Sequence, residues 1–318
     1  MSTGTDDTAA ARPGDPARRP TVSVILPTVD GVDACREVAA LLGPDDELLV
    51  VCDTDDDTIA RAEADLPAGA RVVTAGPPEG CSGKANAVAA GIEAAEHDRL
   101  VMTDDDFSRP ASWLEQLCAD YERDGPSSEL PLFVGSDPLS RLLEPLYAHG
   151  TLGIYRNDVP WGGALIFDRS DVDDGQVRRE LRRTVSDDGL LSEHLEVTQH
   201  RRLREVEIGG SLRASLERHV RFMQIFRWFA PRGLALATGV LTLLTAVCLI
   251  VPVLGAALAT LLTARVYAVL GTERRAVLWS PVALLLFVPL LVFALSRRTF
   301  VWSGRRYRWR GKFDTTVE

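Results

Sequence analysis

Two aspartates one residue apart, Asp104 and Asp106, follow the short apolar run Arg99–Thr103 and open the turn Asp104-Asp105-Asp106-Phe107-Ser108-Arg109-Pro110. In extended chain alternate side chains share a face, so the spacing predicts that Asp104 and Asp106 point together and Asp105 away. Two such carboxylates can hold a hard divalent cation, Mg²⁺ or Mn²⁺, alongside diphosphate oxygens. That would neutralise charge developing on a nucleotide-diphosphate leaving group. The competing reading, a solvated acidic turn, loses ground because the pair closes a fourth predicted strand. Asp53 closes a second strand, Glu47–Cys52, and is either an acceptor for a nucleotide base or ribose or a turn aspartate bonding its own backbone. Asp55, Asp56 and Asp57 fit the solvated turn and the start of the next helix.

Three more places carry chemistry. Lysine occurs only at positions 84 and 312. Lys84, in the Gly-rich turn Gly80-Cys81-Ser82-Gly83-Lys84, is either a chance survivor or a compact ammonium where a guanidinium fork does not fit. Asp188, at the helix start Ser186-Asp187-Asp188-Gly189, is either a general base for an acceptor hydroxyl or part of a cap. Gln224-Ile225-Phe226-Arg227-Trp228 precedes the first long apolar run. It is either an amphipathic approach to lipid, where Trp is favoured, or a polar and aromatic wall for an acceptor. His194, His200 and His219 have no metal-ligand spacing, and the five cysteines form no Cys-x-x-Cys; an odd count suits a reducing compartment.

The elements that must position these groups are strands and helices in alternation. Strands are expected at Thr21–Pro27, Glu47–Cys52, Arg71–Thr74 and Arg99–Thr103, and helices at Asp33–Leu42, Thr58–Asp65, Ala85–Ala95 and Ser112–Tyr121. Such alternation implies a mostly parallel sheet with helices on both faces, with ligands bound beyond the carboxyl ends of the strands. Beyond residue 122 the pattern is mixed, with strands expected near Leu132–Val134 and Ala164–Phe167. Helices are expected near Leu139–Ala148, Gly175–Arg183 and Asp188–Glu196.

Charge divides the chain. Residues 229–318 hold 11 basic against 3 acidic residues, whereas residues 1–228 hold 24 basic against 42 acidic. So acidic a domain argues against a nucleic-acid partner. Residues 1–20, rich in Asp, Ala, Pro and Arg without an apolar core, read as a disordered leader and not a signal peptide. Residues 21–229 form the expected α/β domain, and 230–296 a membrane region of two or three spans. From Gly233 to Gly271 only Arg265 is charged, with a possible break near Pro252–Gly255, and Ala276–Leu295 is uncharged. The seven basic residues of Arg297–Lys312 make 297–318 a cytoplasmic tail by the positive-inside rule. With the domain also cytoplasmic the span number is even, which favours two spans with residues 256–275 interfacial or re-entrant.

Asp53, Lys84 with Asn86, Asp104-x-Asp106, Asp188 and Gln224-x-x-Arg227-Trp228, in that order, resemble a family-2 glycosyltransferase of the GT-A fold. The chain is most similar to the ceramide glucosyltransferase-like branch. Gly83-Lys84-Ala85-Asn86 resembles its Lys-x-Asn turn, Trp161-Gly162-Gly163-Ala164 its Gly-rich approach to the acceptor, and Val301–Tyr307 its basic aromatic tail. The resemblance implies inverting transfer from a UDP- or GDP-sugar to a lipid acceptor at the membrane. Asp53, Lys84 and Asn86 would bind donor, Asp104 and Asp106 the metal and diphosphate, and Asp188 would be the base. Trp161, Gly162, Gly163, Gln224, Arg227 and Trp228 would line the acceptor and the transferring end of the donor. Two departures are visible: Asp187 stands where Glu is common, and the first 20 residues are polar where that branch usually has a membrane helix. Two alternatives are a dolichyl-phosphate sugar synthase, which generally lacks Gln-x-x-Arg-Trp, and a non-catalytic nucleotide-sugar-binding subunit.

Overall fold

The computed structural model describes residues 19–318, so the expected leader lies outside the described residues apart from Arg19 and Pro20. The first elements are β1 (Val22–Pro27), α1 (Val32–Ala39), β2 (Glu47–Cys52), α2 (Thr58–Arg61), β3 (Ala70–Thr74), α3 (Gly83–Ala94), β4 (Arg99–Thr103) and α4 (Trp113–Asp124). There follow β5 (Ser127–Gly135), α5 (Pro138–Arg156), β6 (Ala164–Asp168), α6 (Asp174–Leu181), α7 (Asp187–Leu191), β7 (Thr198–Ile208) and α8 (Leu212–Phe229). The seven strands form one sheet in the order β3-β2-β1-β4-β6-β5-β7, in which β6 runs against both neighbours and every other pairing is parallel. This is the GT-A-type arrangement expected from the resemblance.

Alternation along the strands builds a core on each face. Val22, Val24 and Leu26 of β1 pack with Cys35 and Val38 of α1 and with Trp113 and Leu117 of α4. Ile25 packs on the other side with Leu49, Val51 and, from α3, Val88 and Ile92. Burying each such aliphatic side chain is worth about 1.5–3 kcal/mol. Because β1, β2 and β4 are parallel, their carboxyl ends lie on one edge. Antiparallel pairing of Thr103 with Ala164 brings the start of β6 to that edge too.

β7 was not among the expected strands, because Arg201-Arg202-Leu203-Arg204-Glu205 reads as a charged run. Two of its arginines, Arg202 and Arg204, are consumed by β5, and Arg201 donates to the Val269 carbonyl at 3.0 Å. Glu129 is fully buried and accepts from Arg202 Nε (2.6 Å), Arg204 Nε (2.5 Å) and Trp113 Nε1 (3.2 Å). A buried carboxylate needs such partners, and they pin β7 to the sheet.

Three helices, α9 (Pro231–Ile250), α10 (Pro252–Leu270) and α11 (Ser280–Ser296), follow α8. Among the described residues, Pro231–Ile250, Pro252–Leu270 and Arg275–Ser296 are long and apolar enough to cross a membrane. The first apolar stretch breaks at Val251, next to the expected Pro252–Gly255 position, since proline starts a helix readily but cannot continue one. Of residues 256–275, expected to be interfacial or re-entrant, 256–270 belong to α10, which packs against α9. The end of α10 returns to the α/β domain, where Tyr267 and Leu270 pack with Leu130, Leu132 and Ala148. Arg274 then pairs with Glu144 and Glu205, both at 2.9 Å. α11 lies along the domain, with Leu290 against its core and Ala294 held by α8.

The tail is a three-stranded antiparallel sheet, β8 (Thr299–Trp302), β9 (Arg305–Gly311) and β10 (Asp314–Val317). Alternation explains it: Tyr307 and Trp309 point inward with Phe300, while Arg306, Arg308 and Arg310 face out. Ser303 and Gly304, with φ of 47° and 76°, make the two-residue turn whose twist suits a hairpin.

Candidate active site

At the carboxyl edge Lys84, in the first turn of α3, reaches into a group of carboxylates. Ser82 caps that helix by accepting from Ala85 N, which fixes where Lys84 emerges. Lys84 Nζ lies 2.7 Å from Asp104 Oδ1 and 3.2 Å from Asp187 Oδ2. Burial opposes the ammonium charge, yet Asp104, Asp187 and Asp188 carry its pKa well above the ordinary lysine range. Lys84 therefore ties the end of β4 to the start of α7. Asp105 turns away, as the alternation predicts, and accepts from Thr28 Oγ1 at 2.5 Å.

Asp188 sits at the other side of this group. Its Oδ1 accepts from Gly162 N at 2.6 Å. A Cβ on residue 162 would lie 2.7 Å from Asp188 Oδ1 and 2.9 Å from Asp187 Oδ2, so only glycine allows both carboxylates so close to the backbone. Trp161 is in the core, 5.2 Å from the Phe107 ring, and one on Gly163 would run into the Trp161 indole. The Trp-Gly-Gly sequence thus anchors a backbone N–H under Asp188. Burial, then the Asp187 carboxylate, pushes Asp188 up to about 7. Partial burial, then Asp104, pushes Asp106 up to about 6. A carboxylate near neutrality in pKa, with a neighbour to orient it, suits proton transfer at physiological pH.

The residues present fit a divalent cation. Among the described residues no three His, Cys, Asp or Glu side chains converge as a metal-binding group. A protein site of two carboxylates, completed by ligand oxygens, is ordinary for Mg²⁺ or Mn²⁺. Asp104 and Asp106 could supply it, and the Asp104 carboxylate that, after burial, raises Asp106 is charge a cation would offset.

Asp53, 5% exposed, lies at the end of β2. Its own N–H and that of Thr54 donate to Asp57 Oδ2, both at 2.9 Å, which shapes the turn. Its carboxylate is ion-paired with Arg305 of β9. Beside it Gly83 N donates to the Tyr307 hydroxyl at 3.3 Å. Asn86 clamps the loop before α3, donating to the carbonyls of Ala75 (3.3 Å) and Gly76 (2.9 Å). The tail sheet therefore covers the Asp53 end of the cleft, a contact across 252 residues of sequence.

Gln224 turns toward α11 and takes no part in the contact between Arg227 and Trp228. Gln224 is fully buried and donates to the carbonyls of Ala294 (3.1 Å) and Arg297 (2.7 Å), fastening α11. Trp228 packs with Val185, Phe300 and Trp309 between α8 and the tail. Arg227 lies 5.1 Å from the Trp228 ring. Phe229 meets Gly189, so α8 ends against the helix that carries Asp188.

Two site residues were not foreseen. Arg109 bonds Thr103 Oγ1 (3.0 and 2.7 Å), the Phe107 carbonyl (3.0 Å) and the Asp104 carbonyl, and so braces the aspartate turn from within. Its signal was the arginine five residues after Asp104 in an otherwise acidic turn. Arg305 had no local signal, because its partner lies at the other end of the chain.

Residues 23–167 match the family described as Glycosyl transferase family 2. The matched segment holds Asp53, Lys84, Asn86, Asp104, Asp106 and Trp161–Gly163, ends before Asp188, and supports reading the chain as a family-2 glycosyltransferase. No curated protein matches the chain. Similar solved structures include glucosyl-3-phosphoglycerate synthase from Mycobacterium tuberculosis in complex with Mn²⁺ and UDP-glucose. It is 20% identical over 65% of this chain and 79% of that one, with a TM-score of 0.41. The same synthase with Mn²⁺, UDP and glucosyl-3-phosphoglycerate is 22% identical over 68% and 86%, with a TM-score of 0.40. A mycobacterial protein is 22% identical over 65% and 74%, also with a TM-score of 0.40.

Proposed function

We propose that the protein is a metal-dependent, inverting family-2 hexosyltransferase that moves a sugar from a UDP- or GDP-sugar to a hydroxyl of a lipid or lipid-linked acceptor. The observation that carries this reading is the meeting of Asp104, Lys84, Asp187 and Asp188 over the Gly162 N–H at the carboxyl edge of the sheet. Asp188 takes the proton of the acceptor hydroxyl as its oxygen attacks the anomeric carbon. The bond from that carbon to the diphosphate breaks on the opposite face, and one displacement inverts the centre. Gly162 N–H holds the base in place. Asp104 and Asp106 would hold Mg²⁺ or Mn²⁺, which when bound offsets charge on the leaving diphosphate. Asp53, with Gly83 beside it, would receive the nucleotide.

The ceramide glucosyltransferase-like branch is supported by Gln224-x-x-Arg227-Trp228 and the aromatic tail. The three apolar helices support a multi-pass membrane protein, and the basic tail, packed on the catalytic domain, supports a cytoplasmic position for both. The domain limits follow: 21–229 catalytic, 230–296 in the membrane and 297–318 a tail. Incubating purified protein with a panel of UDP- and GDP-sugars, Mn²⁺ and a membrane lipid extract tests this. Nucleoside diphosphate and a sugar-bearing lipid should appear together, and neither with EDTA. Donor binding without any release would instead mark a non-catalytic subunit.

A further inference from the structure

One face of α8 carries Glu217, Arg221, Gln224 and Trp228, spaced at helical intervals. Three of these are consumed by neighbouring elements. Glu217 Oε2 accepts from Val301 N at 3.1 Å, Gln224 fastens α11, and Trp228 packs under the tail. Arg221 is different. Its guanidinium carbon lies 3.9 Å from the centre of the Trp302 ring, and among the described residues it has no ion pair or hydrogen bond. Its neighbour Arg218 is spent on the Gly209 carbonyl at 2.7 Å.

Trp302 lies 6.3 Å ring to ring from Tyr307, whose hydroxyl accepts from Gly83 N next to Lys84, so the stack places Arg221 on the side of the cleft where Lys84 emerges. The charges it feels come from Arg218 on its own helix, Asp106 on the turn after β4, and Asp187 and Asp188 on α7. Burial first, then Arg218, lowers its pKa to about 10 despite those carboxylates. An unpaired, partly buried charge is costly, so a guanidinium left without a partner is suited to one that comes from outside. Stacking on Trp302 fixes the plane of this guanidinium and leaves its N–H donors uncommitted.

We propose that Arg221 is a phosphate-binding residue, gripping an oxyanion that enters the cleft beside Trp302. The proposal rests on the glycosyltransferase reading, in which a phosphate reaches that point. Two sources share the chemistry: the donor diphosphate, or a phosphate in the headgroup of the lipid acceptor. A planar fork suits either, since it can give two parallel hydrogen bonds to one phosphate.

The test compares full-length wild type with Arg221→Gln and Arg221→Lys in detergent with Mn²⁺, measuring UDP and GDP binding by calorimetry, acceptor KM and thermal midpoint. Weaker nucleoside-diphosphate binding in Arg221→Gln, about 10- to 100-fold as for loss of a charge-assisted bond, with a smaller loss in Arg221→Lys, supports the donor source. Unchanged nucleotide affinity with acceptor KM raised by a similar factor supports the acceptor source. Unchanged affinity and KM, with or without a lower thermal midpoint, overturn the proposal and leave Arg221 a packing residue on Trp302. Should Arg221→Gln not fold, Trp302→Leu, which removes the stack but keeps the guanidinium, is expected to weaken the same constant in the same direction, and no change there overturns it. A wild type that binds nucleotide but never turns over would overturn the glycosyltransferase reading itself, an outcome distinct from these.

Discussion

The two ends of the cleft handle negative charge differently. At the Asp53 end the chain supplies its own counter-charge, because Arg305 pairs with the carboxylate and Tyr307 tops the start of α3. At the Asp104 end four carboxylates, Asp104, Asp106, Asp187 and Asp188, face the ammonium of Lys84 and the unpaired guanidinium of Arg221, and two of them are raised to about 6 and about 7. One end is balanced and one is in deficit. On the proposed function, the contrast means that the Asp104 end would take a cation from outside, while the Asp53 end would exchange an internal partner for the nucleotide.

The hardest blow to the deficit end is removal of the base. Asp188→Asn should cut turnover by about 10²–10⁴-fold while calorimetry still finds nucleoside-diphosphate binding; turnover near wild type would remove Asp188 from the mechanism. Chelation comes next. With EDTA activity should vanish and return with Mn²⁺ or Mg²⁺. Asp106 and Asp188 have folded pKa values above the unfolded value of 3.8, so their contribution to stability is complete below about pH 4 and is lost as pH rises through 6 to 7. EDTA-treated protein should therefore melt lower at pH 8 than at pH 5, and Mn²⁺ should raise the midpoint more at pH 8. A flat or rising profile in EDTA would dissolve the contrast between the two ends.

Gly162→Ala probes the support under the base. The new methyl would meet Asp188 and Asp187 at under 3 Å, and a displaced base should lower kcat by about 10²-fold with donor KM little changed. If kcat holds, the Gly162 N–H does not position Asp188. The smallest effect belongs to the balanced end. Arg305→Ala removes a partly exposed ion pair, and such pairs are worth about 0–1 kcal/mol. Donor KM should move by about 2- to 5-fold with kcat retained, and a collapse of kcat would place the tail in the chemistry.

How far the sequence could be read follows from where the partners lie. β1 was legible as a β-branched run ended by Pro27, and β2 and β4 as apolar runs that lead straight into Asp53 and Asp104, whose position fixed the edge of the site. β7 was not legible, because its arginines look solvated until the buried Glu129 is placed beside them. The tail read as a basic extension, since the alternation of Tyr307 and Trp309 is short and set among arginines. Gln224 was legible as a special residue, but its bonds to Ala294 and Arg297 depend on a helix 70 residues away. Arg221 differs from a surface arginine only in what fails to meet it.

The return of the chain to the α/β domain has a topological consequence. The backbone leaves that domain after Phe229, is back at Tyr267–Arg274, runs along it through α11, and closes the tail sheet over Asp53. A path that starts and ends on one body has even parity with respect to any plane drawn beside that body. Between these returns the turn of the α9–α10 hairpin carries Ile250, Val253 and Leu254, all exposed. A lipid sheet crossed by that hairpin alone would be entered and left on the same side, and both halves of the cleft would stay in one aqueous phase.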